Sequence, residues 1–472
     1  MTYLPGGHLN RPPLNDSTVG TPQFFAMSDA HRQAEDKTLW GAWYGLAILF
    51  VAYTVSFIDR TILSLLVEPI KAALDLTDTE VSLLHGFAFA IFYTFLGIPI
   101  ARLADYRSRK WIITCGICVW SLMTAACGLA GRFSTLFLAR VGVGVGEAAL
   151  SPAAYSMISD MFPKRRLGVA LSLYSAGVYV GAGLAFIVGG LAVQKMLAIG
   201  DVTIPFVGTT SPWQMIFFVV GLPGILVALL MATVTEPKRE AAHTSGHANG
   251  LLPVFRFIAA EPSAFLLHFI GYSLLGLIFN AFLAWAPAFF FRSYEMSPGD
   301  TGSLLGVLIL LFGASGMIAG GMHTDRLRRA GDTAAPFTSS RLAGICATPI
   351  CIAIPFFDSV EASTVLFGAL FFFSAFPFGS AASAIQIATP PHMRAQMSAV
   401  YLFCLNLVGI GFGPTLVALL TDYLFQDVAM LGWSLAIVGG IAAPLGAIAL
   451  HIGRQPLIAA TAKREREEHR DD

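Results

Sequence analysis

The chain has 472 residues, 56% hydrophobic and only 12% charged, and its formal net charge at pH 7 is zero. A soluble domain is about 25% charged, so a large water-soluble fold is excluded, and zero net charge gives no basis for a nucleic-acid partner. What remains is a polytopic membrane protein, because apolar runs long enough to cross a hydrocarbon core of about 30 Å recur along the sequence.

The first 38 residues carry Pro, Gly, Asn and Ser, with no basic start followed by an apolar core. They read as a flexible tail and not as a secretory signal. Apolar runs bounded by turn signals then predict spans at 41–66, 79–103, 111–131, 134–160, 166–195, 213–235, 263–291, 301–323, 335–357, 360–389, 395–424 and 428–452. The longest internal hydrophilic stretch, TEPKREAAHTSGHANG (235–250), divides them six and six. The expected organisation is all-α: a tail over 1–38, a six-helix bundle over 39–235, a linker over 236–262, a second six-helix bundle over 263–452 and a tail over 453–472.

Twelve spans put both termini on one side. Of the 29 Lys and Arg residues, 22 fall on that side and 4 on the other (Lys71, Arg132, Lys195 and Arg292), while Arg60, Arg140 and Arg341 lie within spans. By the positive-inside rule, the termini and the loops after even-numbered spans are cytoplasmic. The only N-glycosylation sequon, Asn15-Asp16-Ser17, lies in the cytoplasmic tail, and the external loops are short. That fits a multi-pass protein of a bacterial inner membrane.

An internal repeat supports the division. ARLADYRSRK (101–110) follows the second span and GMHTDRLRRA (321–330) follows the eighth. Each puts an Asp and then basic residues in a short loop at matching places in the two halves. The pattern resembles the loop motif of the major facilitator superfamily, Gly-x-x-x-Asp followed by Arg and Arg/Lys. The second copy keeps the glycine as Gly321, while the first has Ala101. IDRTI in the first span, ARVGVGVGEAALSPAAYSMISDMF (139–162) in the fourth and SLYSAGVYVGAGLAF in the fifth resemble the Spinster group of that superfamily, in a bacterial-type version. The resemblance covers nearly all twelve spans. It implies the superfamily fold, a monomer, and lysolipid- or sphingolipid-like substrates.

Four ionisable residues lie at mid-span: Asp59 and Arg60 in the first, Arg140 and Glu147 in the fourth. Each costs roughly 2.5–3.5 kcal/mol on insertion scales, so such groups face a cavity or a partner. A purely structural role would be salt bridges that fix helix positions. Adjacent residues on a helix point about 100° apart, so Asp59 and Arg60 cannot neutralise one another. The expected arrangement pairs Asp59 with Arg140 across a cavity and leaves Arg60 near Glu147 or facing substrate. A carboxylate stays ionised beside an arginine and takes a proton when parted from it in an apolar setting. Rocking of the halves would then couple protons to transport, with Asp59 as carrier and Glu147 as the alternative carrier. The Spinster resemblance implies that the same four residues matter.

Other features fall around this cluster. Gly142, Gly144 and Gly146 in the fourth span and Gly177, Gly181 and Gly183 in the fifth are expected to let helices approach closely. Asp105, Arg109 and Lys110, with Asp325 and Arg326, are expected to gate the cytoplasmic end through interhelical pairs and helix-dipole contacts. His85, Asn280, Gln386, Tyr401 and Asn406 are polar side chains placed to line a pocket or to be satisfied in the core. Arg341 is assigned to snorkel to the cytoplasmic interface. Cys115 and Cys118 form a lone C-x-x-C without further ligands, so no metal site is expected.

No G-x-S-x-G, H-E-x-x-H or phosphate-binding G-x-x-x-x-G-K-[ST] occurs, so neither an enzyme nor a primary pump is expected, and no cofactor. A charge-bearing first half facing a charge-poor second half suggests an amphipathic cavity. The expected function is secondary transport of a small amphiphile, coupled to protons, within the bilayer. The alternatives are a proton-coupled exporter of drugs or organic anions and a membrane ligand sensor that does not transport.

Overall fold

The computed structural model describes residues 28–205, 208–237, 251–390 and 393–471. Residues 1–27 of the expected tail and 238–250 of the expected linker lie outside the described residues. Among those described, twelve helices are long and apolar enough to cross a membrane. They are α1 (Trp40–Leu65), α2 (Asp78–Gly97), α3 (Arg109–Cys127), α4 (Phe133–Met161), α5 (Arg166–Ile199) and α6 (Pro212–Thr233) in the first half. The second half holds α7 (Pro262–Tyr294), α8 (Pro298–Arg329), α9 (Ala335–Phe356), α10 (Val360–Ile385), α11 (Gln396–Phe425) and α12 (Val428–Lys463).

Helix starts follow from local chemistry. Thr77 and Glu80 form a reciprocal capping box at the head of α2, which satisfies amides that have no partner within the helix. Ser108, Ser297 and Ser359 cap α3, α8 and α10 through their hydroxyls in the same way. Large apolar side chains such as Leu138, Val188, Leu226 and Val365 point outward, as the outer surface of a bundle in hydrocarbon requires.

In the first half α1 packs on α5, α3 on α4 and α6, and α2 on α4. In the second, α12 packs on α7 and α9, and α7 also on α11. The halves meet along α5 with α8, α2 with α11, and α1 with α7. Gly146 lets α4 approach α3: a Cβ there would lie 2.5 Å from the Trp120 nitrogen.

Helices 2, 8 and 11 are irregular. A one-residue break at Gly86 divides Asp78–His85 from Phe87–Tyr106. Wider π-helical turns occur at Ile309–Gly313 in α8, and at Leu407–Phe412 and Leu420–Phe425 in α11. A Cβ on Gly86 would lie 2.5 Å from the Ile410 carbonyl oxygen, so the break in α2 faces a π-turn of α11, backbone to backbone.

The structure extends beyond the expected boundaries in four places. Helix continues N-terminally from α1 to Ser28 and C-terminally from α12 to Asp471, where Lys, Arg and Glu are strong helix formers. The linker contains a helix at Leu251–Ala260. The loop between α5 and α6 holds a small antiparallel hairpin, β1 (Val202–Ile204) with β2 (Gly208–Thr210).

Candidate functional site

The four mid-span charges converge around α1 and α4: Arg60 meets Glu147, as expected, but Arg140 does not meet the Asp59 carboxylate. Ser56 and Arg60 lie one turn apart on α1 and so share a face, and both bond the same oxygen of Glu147. Arg60 Nε lies 2.5 Å from Glu147 Oε2 and Ser56 Oγ 2.6 Å from it. The Arg60 guanidinium is also enclosed by three rings, with centroids at 4.8 Å for Phe57, 4.4 Å for Phe89 and 4.7 Å for Tyr93. Aromatic faces favour a cation electrostatically.

Asp59 points to a different helix. Its Oδ2 accepts a 3.4 Å hydrogen bond from Thr124 Oγ1 of α3, and its Oδ1 has no hydrogen-bond partner among the described residues. Arg140 does not reach the carboxylate. Its Nη1 donates to the Asp59 main-chain carbonyl at 3.3 Å, and its Nε to the Leu84 carbonyl at 3.4 Å. The expected Asp59–Arg140 ion pair is therefore absent, because the Asp59 side chain turns toward α3. Asp59, Arg140 and Glu147 are all buried, at 0%, 1% and 1% exposure.

A cavity of about 380 Å³ lies between the halves beside this cluster. Arg60 and Arg140 border it, while Asp59 and Glu147 stand behind its wall. The first half lines it with phenols and hydroxyls, including Tyr53, Tyr93, Tyr155 and Ser175; the second half lines it largely with hydrocarbon, including Phe279, Leu283, Phe378 and Leu405. His85, Asn280, Tyr401 and Asn406 all border the cavity. Asn280 Nδ2 is also satisfied by the Gly276 carbonyl at 2.8 Å. The side chain of Gln386 lies outside the described residues.

Polar contacts join the halves at the end that carries the loops after odd-numbered spans. Arg292, at the end of α7, forks onto Asp78 at the start of α2, with Nη1–Oδ2 2.6 Å and Nη2–Oδ1 2.8 Å. Its Nε reaches Glu68 at 2.8 Å, and Lys71 also pairs with Asp78. Asp422 of α11 accepts from both the amide and the hydroxyl of Thr79, each at 2.6 Å. At the same end α5 and α8 touch through backbone: a Cβ on Gly190 would lie 2.5 Å from the Pro298 carbonyl and 2.9 Å from Gly302 Cα. Sequence reading missed this seal. The signal available was that Lys71 and Arg292 are two of only four basic residues on that side.

At the opposite end the charges hold partners within their own halves. Arg109 bonds Asp160 at 2.5 Å, and its amide bonds Glu236 at 2.8 Å. The Ser108 hydroxyl also donates to Glu236. Partial burial works against the ionised form of Glu236, but the hydrogen bonds from Ser108 and from the Arg109 amide and guanidinium outweigh it and hold the carboxyl below its ordinary value. In the second half Arg454 bonds Asp332 at 3.1 Å. Of the other expected gate residues, Lys110 donates to the Ala232 carbonyl at 3.3 Å, and Asp325 and Arg326 are exposed. The side chain of Asp105 lies outside the described residues.

Comparison with known proteins agrees with this architecture. The Major Facilitator Superfamily profile matches residues 49–414. An "MFS-type efflux pump" of Mycolicibacterium smegmatis is 27% identical over 82% of this chain and 86% of its own. "Protein spinster homolog 1" of Homo sapiens is 27% identical over 81% of this chain and 73% of its own. The crystal structure of a bacterial homologue of the human lysosomal transporter Spinster, inward-facing and unoccupied, superposes with a TM-score of 0.70 at 25% identity, covering 89% of this chain and 97% of that one. The chain belongs to the Major Facilitator Superfamily, as a Spinster-like member of it.

Proposed function

We propose that this protein carries a lysolipid- or sphingolipid-like amphiphile across the membrane by alternating access, driven by protons. The observation that carries the reading is the division of the cavity, with guanidinium and phenol groups on one wall and hydrocarbon on the other. An anionic head group would neutralise Arg140, the cavity guanidinium without a carboxylate partner, and its chain would lie against Phe279, Leu283 and Phe378. Similarity to the Spinster proteins supports the same reading. The distribution of basic residues supports cytoplasmic termini, and the sequon in the tail with the short external loops fits a bacterial-type inner membrane.

Arg140 has two mutually exclusive uses. Turned onto the Asp59 carboxylate, it holds a proton off; turned onto a substrate anion, it leaves that carboxylate free to take one. Competition for one guanidinium thus links substrate to proton. The Arg60–Glu147 pair, gripped by Ser56 and three rings, keeps the adjoining wall rigid, and Glu147 is the alternative carrier. Arg109, Lys110, Asp325 and Arg326, with Asp105, gate the cytoplasmic end, while Arg292 and Asp422 close the other.

The test is uptake of labelled lysophospholipids into proteoliposomes under an imposed pH gradient. Wild-type protein accumulates the amphiphile, and Asp59→Asn binds it without gradient-driven accumulation. Full pH-driven uptake by Asp59→Asn excludes Asp59 as the coupling group; the same result with Glu147→Gln excludes Glu147. A second reading, export of an organic anion, is favoured by the lack of an acid partner for Arg140 and by the similarity to an efflux pump. Transport of such anions with no movement of any amphiphile would select it.

A further inference from the structure

Arg341 is a charge that the transport site does not use. It lies in α9, six residues beyond Ala335 and so about 9 Å along the helix, and it does not border the cavity. Its Nη1 sits 2.7 Å from Nδ1 of His451 on α12. A guanidinium only donates, so His451 accepts at Nδ1, which leaves the ring proton on Nε2 as a free donor. Among the described residues Arg341 has no carboxylate within ion-pair distance; its Nε is buried without a partner there, so the donors it can offer outward are those of its Nη groups.

The surroundings face lipid. Ile345 on α9 and Ile448 and Ile452 on α12 are 53%, 51% and 56% exposed, and they flank the Arg341–His451 contact at helical spacing. Arg454 follows His451 on the same face of α12; its guanidinium meets Asp332 through Nη2 at 3.1 Å. A permanent positive charge among exposed aliphatic side chains is costly in hydrocarbon, and an anion at the interface lowers that cost. At this depth a snorkelling arginine reaches the headgroup layer, and phospholipid phosphates are the anions found there.

We propose that the surface where α9 and α12 meet, on the side of the membrane that holds the termini, binds the phosphate of an anionic phospholipid between the adjacent donors of Arg341 and His451, with Arg454 beside them. This lipid is a resident of the second half and not the cargo, so the assignment stands whether or not the proposed transport function does. By bridging α9 and α12, it stabilises the pair of helices that backs α7.

The test is native mass spectrometry of the full-length protein with phosphatidylglycerol, phosphatidylcholine and inorganic phosphate. Wild-type protein retains phosphatidylglycerol over phosphatidylcholine, and millimolar phosphate does not displace it. Arg341→Gln weakens phosphatidylglycerol retention about five-fold, the worth of one basic residue at a lipid surface, and leaves phosphatidylcholine retention unchanged. His451→Gln, a surface change that does not threaten folding, gives the same loss of preference. Phosphatidylglycerol also raises the thermal midpoint of wild type but not of Arg341→Gln. Wild-type-like retention by both variants, equal retention of the two lipids by wild type, or displacement by free phosphate would each overturn the assignment.

Discussion

Asp422, near the end of α11 in the second half, caps the first turn of α2 in the first half by accepting from both the amide and the hydroxyl of Thr79. A helix start leaves amides unpaired and carries partial positive charge. Here the missing acceptor comes from 343 residues away, so the cap exists only while the halves are together at this end. Asp422→Ala removes it at a cost of about 1 kcal/mol. Amide exchange at Thr79 should quicken roughly five-fold, while exchange at the start of α3, capped by its own Ser108, stays unchanged. Equal protection at Thr79 in both proteins would show that the contact adds nothing.

Arg292 serves two carboxylates of the other half. Arg292→Gln leaves Asp78, wholly buried, with Lys71 alone, and Glu68 with water. The seal should loosen in favour of the state open at that end by roughly five-fold or more. In a background without the six native cysteines, labelling of Ser82→Cys by a membrane-impermeant thiol reagent should rise accordingly. Unchanged labelling would assign the seal to the α5–α8 backbone contact instead.

Glu147 of the Arg60–Glu147 pair is buried while Arg60 borders the cavity, so removal of Arg60 costs up to about 3–5 kcal/mol, the range for a buried charge left unpaired. Arg60→Gln should be the more damaging single change, since it strands Glu147 with Ser56 alone. Glu147→Gln leaves Arg60 among three rings and keeps an amide for Ser56. The double variant should unfold at a higher temperature than Arg60→Gln. Additive losses would mean that the two side chains do not depend on one another.

Glu236 moors the end of α6 to the start of α3. Its folded value lies below the ordinary 4.5, so the mooring adds stability above that pH and loses it as the pH falls through the folded value. Between about pH 6 and pH 3 the thermal midpoint should fall more steeply in wild type than in Glu236→Gln, in which this group no longer titrates. Parallel slopes would rule out this group as a source of acid sensitivity.

Much of the site was legible in the chain because helices convert spacing into direction. Arg140 and Glu147 are seven residues apart, which puts them on one face of α4; Ser56, which shares a face of α1 with Arg60 and bonds Glu147, did not stand out, because a serine in a span reads as a small packing residue. Spacing cannot say where a flexible guanidinium ends. Arg140 has the Asp59 carbonyl and the Leu84 carbonyl within reach, and both follow from a close approach of α1, α2 and α4 that no local pattern records. The distal seal was hidden for a related reason: Asp78 and Arg292 are 214 residues apart, and each alone resembles an ordinary loop charge. His85, Asn280, Tyr401 and Asn406 stood out as polar groups in apolar runs. Tyr53, Tyr93 and Tyr155 did not, because an aromatic residue in a span reads as packing until its neighbours are known.

Where α2 breaks at Gly86 and α11 widens at Leu407–Phe412, two main chains meet with no side chain between them. Pro414 lacks the amide that would claim the Ile410 carbonyl, and that oxygen is the one turned toward Gly86. Surfaces made of side chains must change rotamers to slide. At this crossing the closest contact is carried by backbone, with the rings of Phe87 and Phe412 meeting edge-on beside it at 5.0 Å, so few side chains have to repack as one domain rolls against the other, about 10 Å from the Thr79 clasp.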